Sequence, residues 1–206
     1  MEKIRTLVAD DHAIVRTGLV SLLETEPDID VVGDASNGLD AVRAALELKP
    51  DVVIMDLLMP DIDGVTATRR ILKENPAVKI LVLTTSTVSD DLAHALEAGA
   101  HGVIIKSAEY EKLLEAIRSV AAGERVVSPE VSRLIEDDPP APRLTTRQID
   151  VLQSLTRGLS NPDIAKQLGI SRESVKEHID TLYAKIGAAN RTEAVAIALR
   201  KHLLRI

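Results

Sequence analysis

Three carboxylates stand at the ends of two apolar runs and could together hold a metal ion. Residues 4–8 precede Asp10 and Asp11, and Asp56 lies within the apolar run 51–59. Runs that are apolar on both faces are typical of central strands in a parallel sheet. If these two strands are neighbours, the acids meet at the sheet edge where open α/β folds bind ligands. Their mutual repulsion favours a divalent cation, and oxygen ligands with open water positions suit Mg²⁺.

The elements that must position these acids alternate between strand and helix patterns. Strands are predicted at about 5–9, 31–34, within 51–59, and at 79–84 and 102–105. Helices are predicted at about 13–24, 38–48, 65–74, 89–98 and 109–122. This alternation predicts an α/β fold with a doubly wound, five-stranded parallel sheet.

Two more polar side chains end predicted strands. Thr84 closes the fourth strand and Lys106 directly follows the fifth. Because parallel strands end at one edge, a hydroxyl and an amine are expected to join the three acids in one crevice.

With these residues in place, the sequence resembles the receiver domain of two-component response regulators over about residues 1–122. The residues that carry the resemblance are Asp10 and Asp11, the DLLMP run at 56–60, Gly64 behind it, Thr84 and Lys106. Each motif alone is weakly specific, but the set is in order and at strand ends.

The resemblance implies a phosphoryl-transfer site. Asp56 would be the nucleophile that accepts a phosphoryl group from a sensor histidine kinase and forms an acyl phosphate. Mg²⁺ would be held by Asp11, Asp56 and the backbone carbonyl of Leu58, with Asp10 acting through water.

The same resemblance assigns Lys106 and Thr84 to the phosphoryl oxygens, the first as a charge partner and the second as a hydroxyl donor. One position departs from the family pattern. The family usually has an aromatic residue three positions before the lysine, and Val103 stands there in this chain. The aromatic half of the family's switch is therefore missing.

A second acidic motif allows a different interpretation. The sequence DIDGV at 61–65 is similar to the nucleophile loop of haloacid-dehalogenase-like phosphatases. That loop requires an apolar strand running directly into its first acid, whereas Pro60 cannot extend a central strand. Asp61 and Asp63 are therefore interpreted as turn residues.

Composition favours a cytoplasmic protein with two small domains. The chain has 206 residues and no cysteine, which excludes disulfides and thiolate chemistry. No signal peptide is visible, and no apolar run approaches the about 20 residues that span a bilayer, so no membrane partner is expected. Residues 1–140 carry a net charge of −12 and residues 141–206 one of +5. This asymmetry suggests different partners for the two parts, with nucleic acid as a candidate for the basic one.

The carboxyl-terminal part is separated by a proline-rich segment. Prolines at 129, 139, 140 and 142 indicate a linker at 123–141, in which a short helix at about 129–135 is possible. Beyond it, Thr145 and Gln148 form a capping-box pattern that begins a helix ending near residue 157. A short helix that Ser160 or Asn161 caps, a third helix at 172–186 and a fourth at 191–203 follow. This all-α pattern predicts four helices that contain a helix-turn-helix.

This region resembles the LuxR-type DNA-binding domain, and the whole chain then resembles the NarL/FixJ class of response regulators. The matching residues are Leu144, Thr145, Arg147, Val151, Leu152, Gly158, Ser160, Asn161, Ile164, Ala165, Leu168, Ile170, Ser171, Val175, Lys176, His178, Lys185, Arg191, Thr192, Glu193 and Ala194. Gln148 and Ser174 stand where the family usually has Glu and Thr.

The third helix would enter the major groove of double-stranded DNA. The resemblance assigns DNA contacts to Lys176 and His178, and Arg172 and Lys185 could reach phosphates. Glu177 lies on the same side and could accept a hydrogen bond from a cytosine amino group. The competing interpretation is a solvated helix face on which the acids pair with the basic residues.

Together these features predict a phosphorylation-activated regulator of transcription that binds promoter DNA and is not an enzyme. The expected domains are a receiver at 1–122, a linker at 123–141 and a DNA-binding domain at 142–206. Paired half-sites require paired helix-turn-helix units, so we expect a homodimer in the phosphorylated state. Two alternatives stay open: a phosphate-independent regulator of the same fold, and an aspartyl-phosphate phosphatase.

Overall fold

The computed structural model describes residues 3–140, 144–201 and 203–204. The chain divides into two compact units, Met1–Pro139 and Pro140–Ile206. The two ends of the predicted DNA-binding domain, at residues 142 and 206, lie outside the described residues.

The first unit is built on a parallel sheet, as predicted. Its strands are β1 (Ile4–Ala9), β2 (Ile29–Ala35), β3 (Val52–Met55), β4 (Lys79–Thr84), β5 (Gly102–Ile105) and β6 (Val126–Val127). They lie in the order β2-β1-β3-β4-β5-β6, with every neighbouring pair parallel. The five-stranded prediction is confirmed for β1–β5, and a short sixth strand extends the sheet.

Helices cover both faces of this sheet. They are α1 (Ala13–Leu23), α2 (Gly38–Leu48), α3 (Gly64–Glu74), α4 (Ser89–Glu97) and α5 (Tyr110–Ala121). Strand residues alternate between two apolar clusters, one on each face; Val53 and Met55 belong to one, and Val52 and Ile54 to the other. Burial on both faces is why these strands read as unbroken apolar runs.

The segment predicted as a linker is largely folded onto the first unit. β6 pairs with β5, and a sixth helix, α6 (Pro129–Asp137), follows it. Ser128 caps α6, and Val131 is fully buried in the same cluster as β5 residues. The first unit therefore ends at Pro139 rather than at residue 122. The prolines had indicated an extended linker. Pro129 is nevertheless compatible with α6, because proline fits the first turn of a helix.

The second unit contains the four predicted helices, α7 (Thr146–Thr156), α8 (Asn161–Leu168), α9 (Arg172–Ile186) and α10 (Arg191–Arg200). The capping box of Thr145 and Gln148 is present, and Ser160 rather than Asn161 caps α8. Gly169 ends α8 with a φ of 65°, a left-handed conformation that favours glycine. Ser171 then caps α9, so that α8 and α9 form the predicted helix-turn-helix.

Candidate functional site

The three predicted acids meet at the carboxyl edge of the sheet. Ala9 pairs with Met55 in the parallel β1–β3 ladder, which places Asp10 and Asp56 side by side where both strands end. Asp10 and Asp56 are each 2% exposed. Ligand atoms of Asp10, Asp11, His12 and Asp56 all lie within 4.8 Å of one another. We call these four residues and Lys106 the acidic pocket.

Lys106 joins two acids of this pocket. Its Nζ lies 2.7 Å from Asp10 Oδ2 and 2.6 Å from Asp56 Oδ2, and its side chain is only 11% exposed. Burial alone lowers the pKa of the Lys106 ammonium, but the hydrogen bonds and charges of the two carboxylates outweigh it. The pKa therefore lies above its ordinary value, and the lysine stays charged.

Asp11 differs from the other two acids. Its Oδ1 is shielded from solvent and has no hydrogen-bond partner in the described part of the chain. His12 Nδ1 lies 2.7 Å from that oxygen, but without the alignment of a hydrogen bond. A shielded carboxylate oxygen without a donor, beside two more carboxylates, fits a divalent cation with oxygen ligands. The residues present therefore suit Mg²⁺.

Sequence reasoning offered His12 only as a candidate, beside Asp11, for the start of the first helix, and did not assign it to the pocket. It occupies the N-cap of α1, and its N–H donates to Asp10 Oδ1 at 2.9 Å. The signal that could have identified it is its place directly after two acids at the start of a helix. Its side chain is 64% exposed, so it lies at the mouth of the pocket.

The loop after Asp56 is held close to that residue. Leu58 N–H approaches Asp56 Oδ1 at 3.3 Å, and Gly64 N–H donates to the Leu57 carbonyl at 2.9 Å. The Leu58 carbonyl as a metal ligand stays a prediction. A Cβ on Gly64 would overlap the Asp56 carbonyl, so only glycine fits where α3 begins.

The acids of the phosphatase-like motif have local structural roles. Asp61 has a φ of 67° and lies in the turn after Pro60. Asp63 caps α3, where its Oδ1 accepts a hydrogen bond from Thr66 N–H at 2.6 Å. Both lie where the turn interpretation placed them.

Thr84 lies beside the pocket, but its hydroxyl is engaged elsewhere. It is fully buried, and its Oγ1 accepts a hydrogen bond from Ser86 N–H at 3.0 Å. Its carbonyl accepts from Lys106 N–H at 2.8 Å. Ser86 Oγ in turn donates to Asp91 Oδ2 at 2.7 Å, which ties this loop to α4. The sequence alone did not point to Ser86.

In the second unit, helix α9 has an apolar, buried side and a polar, exposed side. Val175, Ile179 and Leu182 are buried, while the other side carries the predicted DNA-binding residues. Of these, Arg172, Lys176, Glu177 and Lys185 are exposed and His178 is half-buried. Within the described ranges, none of the charged side chains of α9 forms an ion pair. The pairing of Glu177 with Lys176 or Arg172, which the solvated-face interpretation required, is thus not seen there.

Two arginines fix the helices around α9. Arg147 Nη2 donates to the Leu168 carbonyl at 2.9 Å and joins α7 to the end of α8. Arg191 Nη2 donates to the Leu155 carbonyl at 2.9 Å and joins α10 to α7. Both arginines donate to carbonyls in the last turn of a helix; the Leu155 carbonyl also accepts from Gly158 N–H at 3.0 Å.

Comparison with known families agrees with this geometry. The model of the response regulator receiver domain matches residues 6–118, and that of bacterial regulatory proteins of the luxR family matches residues 142–198. The two matches cover more than half of the chain. It therefore belongs to the two-component response regulators that join a receiver domain to a LuxR-type DNA-binding domain, as both resemblances indicated.

Relatives match over nearly the whole length. The transcriptional regulatory protein LiaR of Bacillus subtilis is 39% identical, with 98% of this chain and 99% of that protein covered. The response regulator VraR of Staphylococcus aureus is 37% identical with the same coverage. The relatives are response regulators and not enzymes, in agreement with the predicted class of protein.

Solved structures show the same architecture. The response regulator ChrA of a heme-sensing two-component system has a TM-score of 0.59 and 37% identity, covering 99% of this chain and 100% of that one. RcsB of Salmonella enterica serovar Typhimurium, bound to a promoter in the presence of phosphomimetic BeF3−, has a TM-score of 0.68 and 26% identity. That match covers 95% of this chain and 98% of RcsB. Among the described residues of the present chain, no helix is long and apolar enough to span a membrane.

Proposed function

We propose that this chain is a cytoplasmic transcription regulator whose DNA binding is controlled by phosphorylation of Asp56 by a sensor histidine kinase. The observation that carries the proposal is the bridge from Lys106 to Asp10 and Asp56, beside an Asp11 oxygen that accepts no hydrogen bond from the described residues. Buried acids arranged only for stability would be fully paired. Among the residues that the structure describes, this pocket instead leaves Asp11 Oδ1 without a hydrogen bond, with only the exposed His12 ring beside it.

Asp56 is suited to be the nucleophile because its carboxylate is anchored and yet lies at the end of the strand. In the transfer, one of its oxygens forms a bond to phosphorus while the P–N bond of the kinase phosphohistidine breaks. The imidazole leaves with the electron pair of that bond. Asp11, Asp56 and the Leu58 carbonyl, with Asp10 through water, would hold Mg²⁺, which would supply positive charge against the phosphoryl oxygens.

Lys106 and Thr84 respond to the new group. Once Asp56 is an acyl phosphate, the Lys106 ammonium pairs with a phosphoryl oxygen instead of the lost carboxylate charge. A hydroxyl can accept and donate at once, so Thr84 can donate to another phosphoryl oxygen while its Oγ1 still accepts from the Ser86 amide, and its movement towards the phosphoryl group pulls on that amide. Because Ser86 is bonded to Asp91, this movement changes the loop that precedes α4.

The second unit supplies the output. Helix α9 enters the major groove of promoter DNA, where Lys176 and His178 contact the DNA, Glu177 faces a base, and Arg172 and Lys185 reach phosphates. Exposure of the four charged side chains on one helix supports this assignment. RcsB structures described as dimers bound to DNA support a homodimer as the active form.

Phosphate-independent regulation by the same fold is the second candidate, and Val103 favours it. This residue replaces the family's usual aromatic and is fully buried in the core. A small buried side chain cannot swing between two positions as an aromatic ring would. Activation would then depend on some signal other than the acyl phosphate.

The test combines intact-mass measurement with DNA binding. Incubation with acetyl phosphate and Mg²⁺ is expected to add one phosphoryl group to the wild type and none to Asp56→Asn, and to raise the DNA affinity of the wild type alone. An Asp56→Asn variant that still gains the phosphoryl mass contradicts the acceptor assignment. Wild type that gains phosphate without any change in DNA binding supports the phosphate-independent alternative.

A further inference from the structure

Arg16 connects α1 to the peptide between two acids of the pocket. It lies one turn after His12, whose carbonyl accepts a hydrogen bond from its N–H at 2.9 Å. Its Nη1 donates to the Asp10 carbonyl at 2.7 Å, and its Nε donates to Asp34 Oδ2 at 2.7 Å. The Arg16 side chain is only 17% exposed. The guanidinium is therefore fixed in direction by two charge-assisted contacts.

The carbonyl of Asp10 depends on this donor. Asp10 is 2% exposed, so water has little access to its backbone. A buried carbonyl without a donor is costly, and the peptide would rotate towards another partner. Rotation of the peptide that joins Asp10 to Asp11 changes the backbone angles of both residues.

Asp11 is the acid most sensitive to such a rotation. The Asp10 and Asp56 carboxylates are held by Lys106, whereas Asp11 Oδ1 has no hydrogen-bond partner in the described ranges. Its nearest polar neighbour, His12 Nδ1 at 2.7 Å, belongs to the next residue and is not aligned as a hydrogen-bond donor, so the direction of the Asp11 side chain is set chiefly by the backbone of residues 10–12. That backbone is anchored on one side by Arg16 and on the other by the hydrogen bond from His12 N–H to Asp10 Oδ1.

We propose that Arg16 is a positioning residue for the cation site, because it fixes the Asp10–Asp11 peptide and thereby aims the Asp11 carboxylate into the acidic pocket. This inference rests on the proposed function, in which the pocket holds a divalent cation. Partners of this kind, one bond removed from a ligand, commonly determine metal affinity.

Two simpler roles make different predictions. If Arg16 only ties α1 to β2, its removal lowers stability and leaves cation affinity unchanged in the folded protein. If it acts only through its charge, removal of a nearby positive group tightens cation binding, because like charges repel. Of the three roles, only positioning predicts that removal of the Arg16 side chain weakens cation binding.

Arg118 provides the matched control. Its Nε lies 2.7 Å from Asp28 Oδ2, the same kind of contact that Arg16 makes with Asp34. Asp28 directly precedes β2, at the amino edge of the sheet and so at the end opposite the pocket. Loss of Arg118 therefore removes the ion pair with Asp28, and a second one with Glu26 at 3.0 Å, without touching the pocket acids.

The experiment measures Mn²⁺ binding by the electron paramagnetic resonance signal of the free ion, which needs no phosphorylation. The full-length wild type is compared with Arg16→Met, Arg16→Lys and Arg118→Met, with folding checked by circular dichroism. We expect Arg16→Met to weaken binding by about 10-fold, the low end of the range for partners of metal ligands. Arg16→Lys keeps a cationic donor, so its Mn²⁺ affinity should lie between those of the wild type and Arg16→Met. The Mn²⁺ affinity of Arg118→Met should match that of the wild type.

Equal or tighter binding by Arg16→Met overturns the proposal, and so does equal weakening by Arg118→Met. If Arg16→Met does not fold, the comparison of Arg16→Lys with Arg118→Met decides in the same way. Acetyl phosphate labelling of the wild type is run in parallel. Wild type that binds Mn²⁺ but gains no phosphoryl group contradicts the proposed function, while the Mn²⁺ comparison still decides the role of Arg16.

Discussion

Gly64 lies against the backbone carbonyl of Asp56, so closely that a Cβ on Gly64 would overlap the carbonyl oxygen. The atom that a Cβ would meet belongs to the backbone and not to a flexible side chain. It therefore cannot move without displacing the loop that carries Asp56. The first helical residue of α3 is thus fixed by its proximity to the proposed acceptor.

Substitution Gly64→Ala is therefore expected to destabilise the first unit by about 1–3 kcal/mol, the usual cost of overpacking. It should also slow labelling of Asp56 by acetyl phosphate. Urea unfolding followed by circular dichroism measures the first effect and intact mass the second. The control is Gly18→Ala in α1, where a Cβ meets nothing within 4 Å and alanine favours the helix. If Gly64→Ala is as stable as the wild type, the close approach does not constrain the loop.

The bridge by Lys106 predicts a dependence of stability on alkaline pH. Its pKa is raised in the folded protein above the ordinary value of 10.5, so the fold binds this proton more tightly than the unfolded chain does. The stabilisation is complete below pH 10.5 and is lost as pH rises through the folded pKa. The difference in unfolding free energy between the wild type and Lys106→Met should therefore shrink above pH 10.5.

Urea unfolding of both proteins between pH 8 and 11.5 tests this expectation. Lys112→Met is the control, because Lys112 is 65% exposed and pairs, within the part of the chain that the structure describes, with the exposed Glu109. Its unfolding free energy should follow the wild type at every pH. A difference for Lys106→Met that stays constant across the alkaline range contradicts the bridge as a source of stability.

The packing of α6 predicts selective release of one helix. Val131 is a residue of α6, and its side chain is fully buried. Just beyond the helix, Ser89 Oγ donates to Asp138 Oδ2 at 3.1 Å. Val131→Asp places a charge in the apolar cluster and should detach α6 while β1–β5 remain folded. Trypsin should then cleave faster at the exposed Arg133. Val131→Ala should have a smaller effect, and equal cleavage of the Asp variant and wild type argues against a docked α6.

On α9, Glu177 is expected to read a base. Glu177→Gln should lose about 1–3 kcal/mol of discrimination at one base pair. Selection of bound sequences at fixed salt measures it, with Asp180→Asn as the control that keeps the wild-type site preference. In contrast, Lys176→Ala should weaken binding to all sequences and reduce the salt slope by about one, provided that Lys176 contacts phosphate alone. Identical preferences for Glu177→Gln and wild type would show that Glu177 reads no base.

The sequence predicted most of the fold because strand ends and helix caps are local features. Asp10, Asp56 and Lys106 each follow an apolar run, and parallel strands must end at one edge, so their convergence follows from the alternating pattern. Thr145 was likewise identified as a cap from its spacing to Gln148 alone.

The remainder depends on side-chain directions that spacing does not encode. Arg16 is only six residues from Asp10, yet its contact requires the particular turn that begins α1. The hydrogen bond of Thr84 with Ser86 depends on the conformation of the loop after β4. A short helix at about 129–135 was expected and is present as α6, but its packing onto the sheet was not predicted, because its apolar face is short and prolines flank it.

Strand β6 has a consequence for how the receiver can be divided from the rest of the chain. It forms hydrogen bonds along the outer edge of β5: Val126 N–H donates to the His101 carbonyl, and Ser128 N–H donates to the Val103 carbonyl. A fragment that ends at residue 122 would leave the edge of β5, a strand of four buried residues, open to solvent. Such an apolar edge is a template for pairing with other chains, so that fragment should self-associate, whereas one ending at Pro139 should remain dispersed.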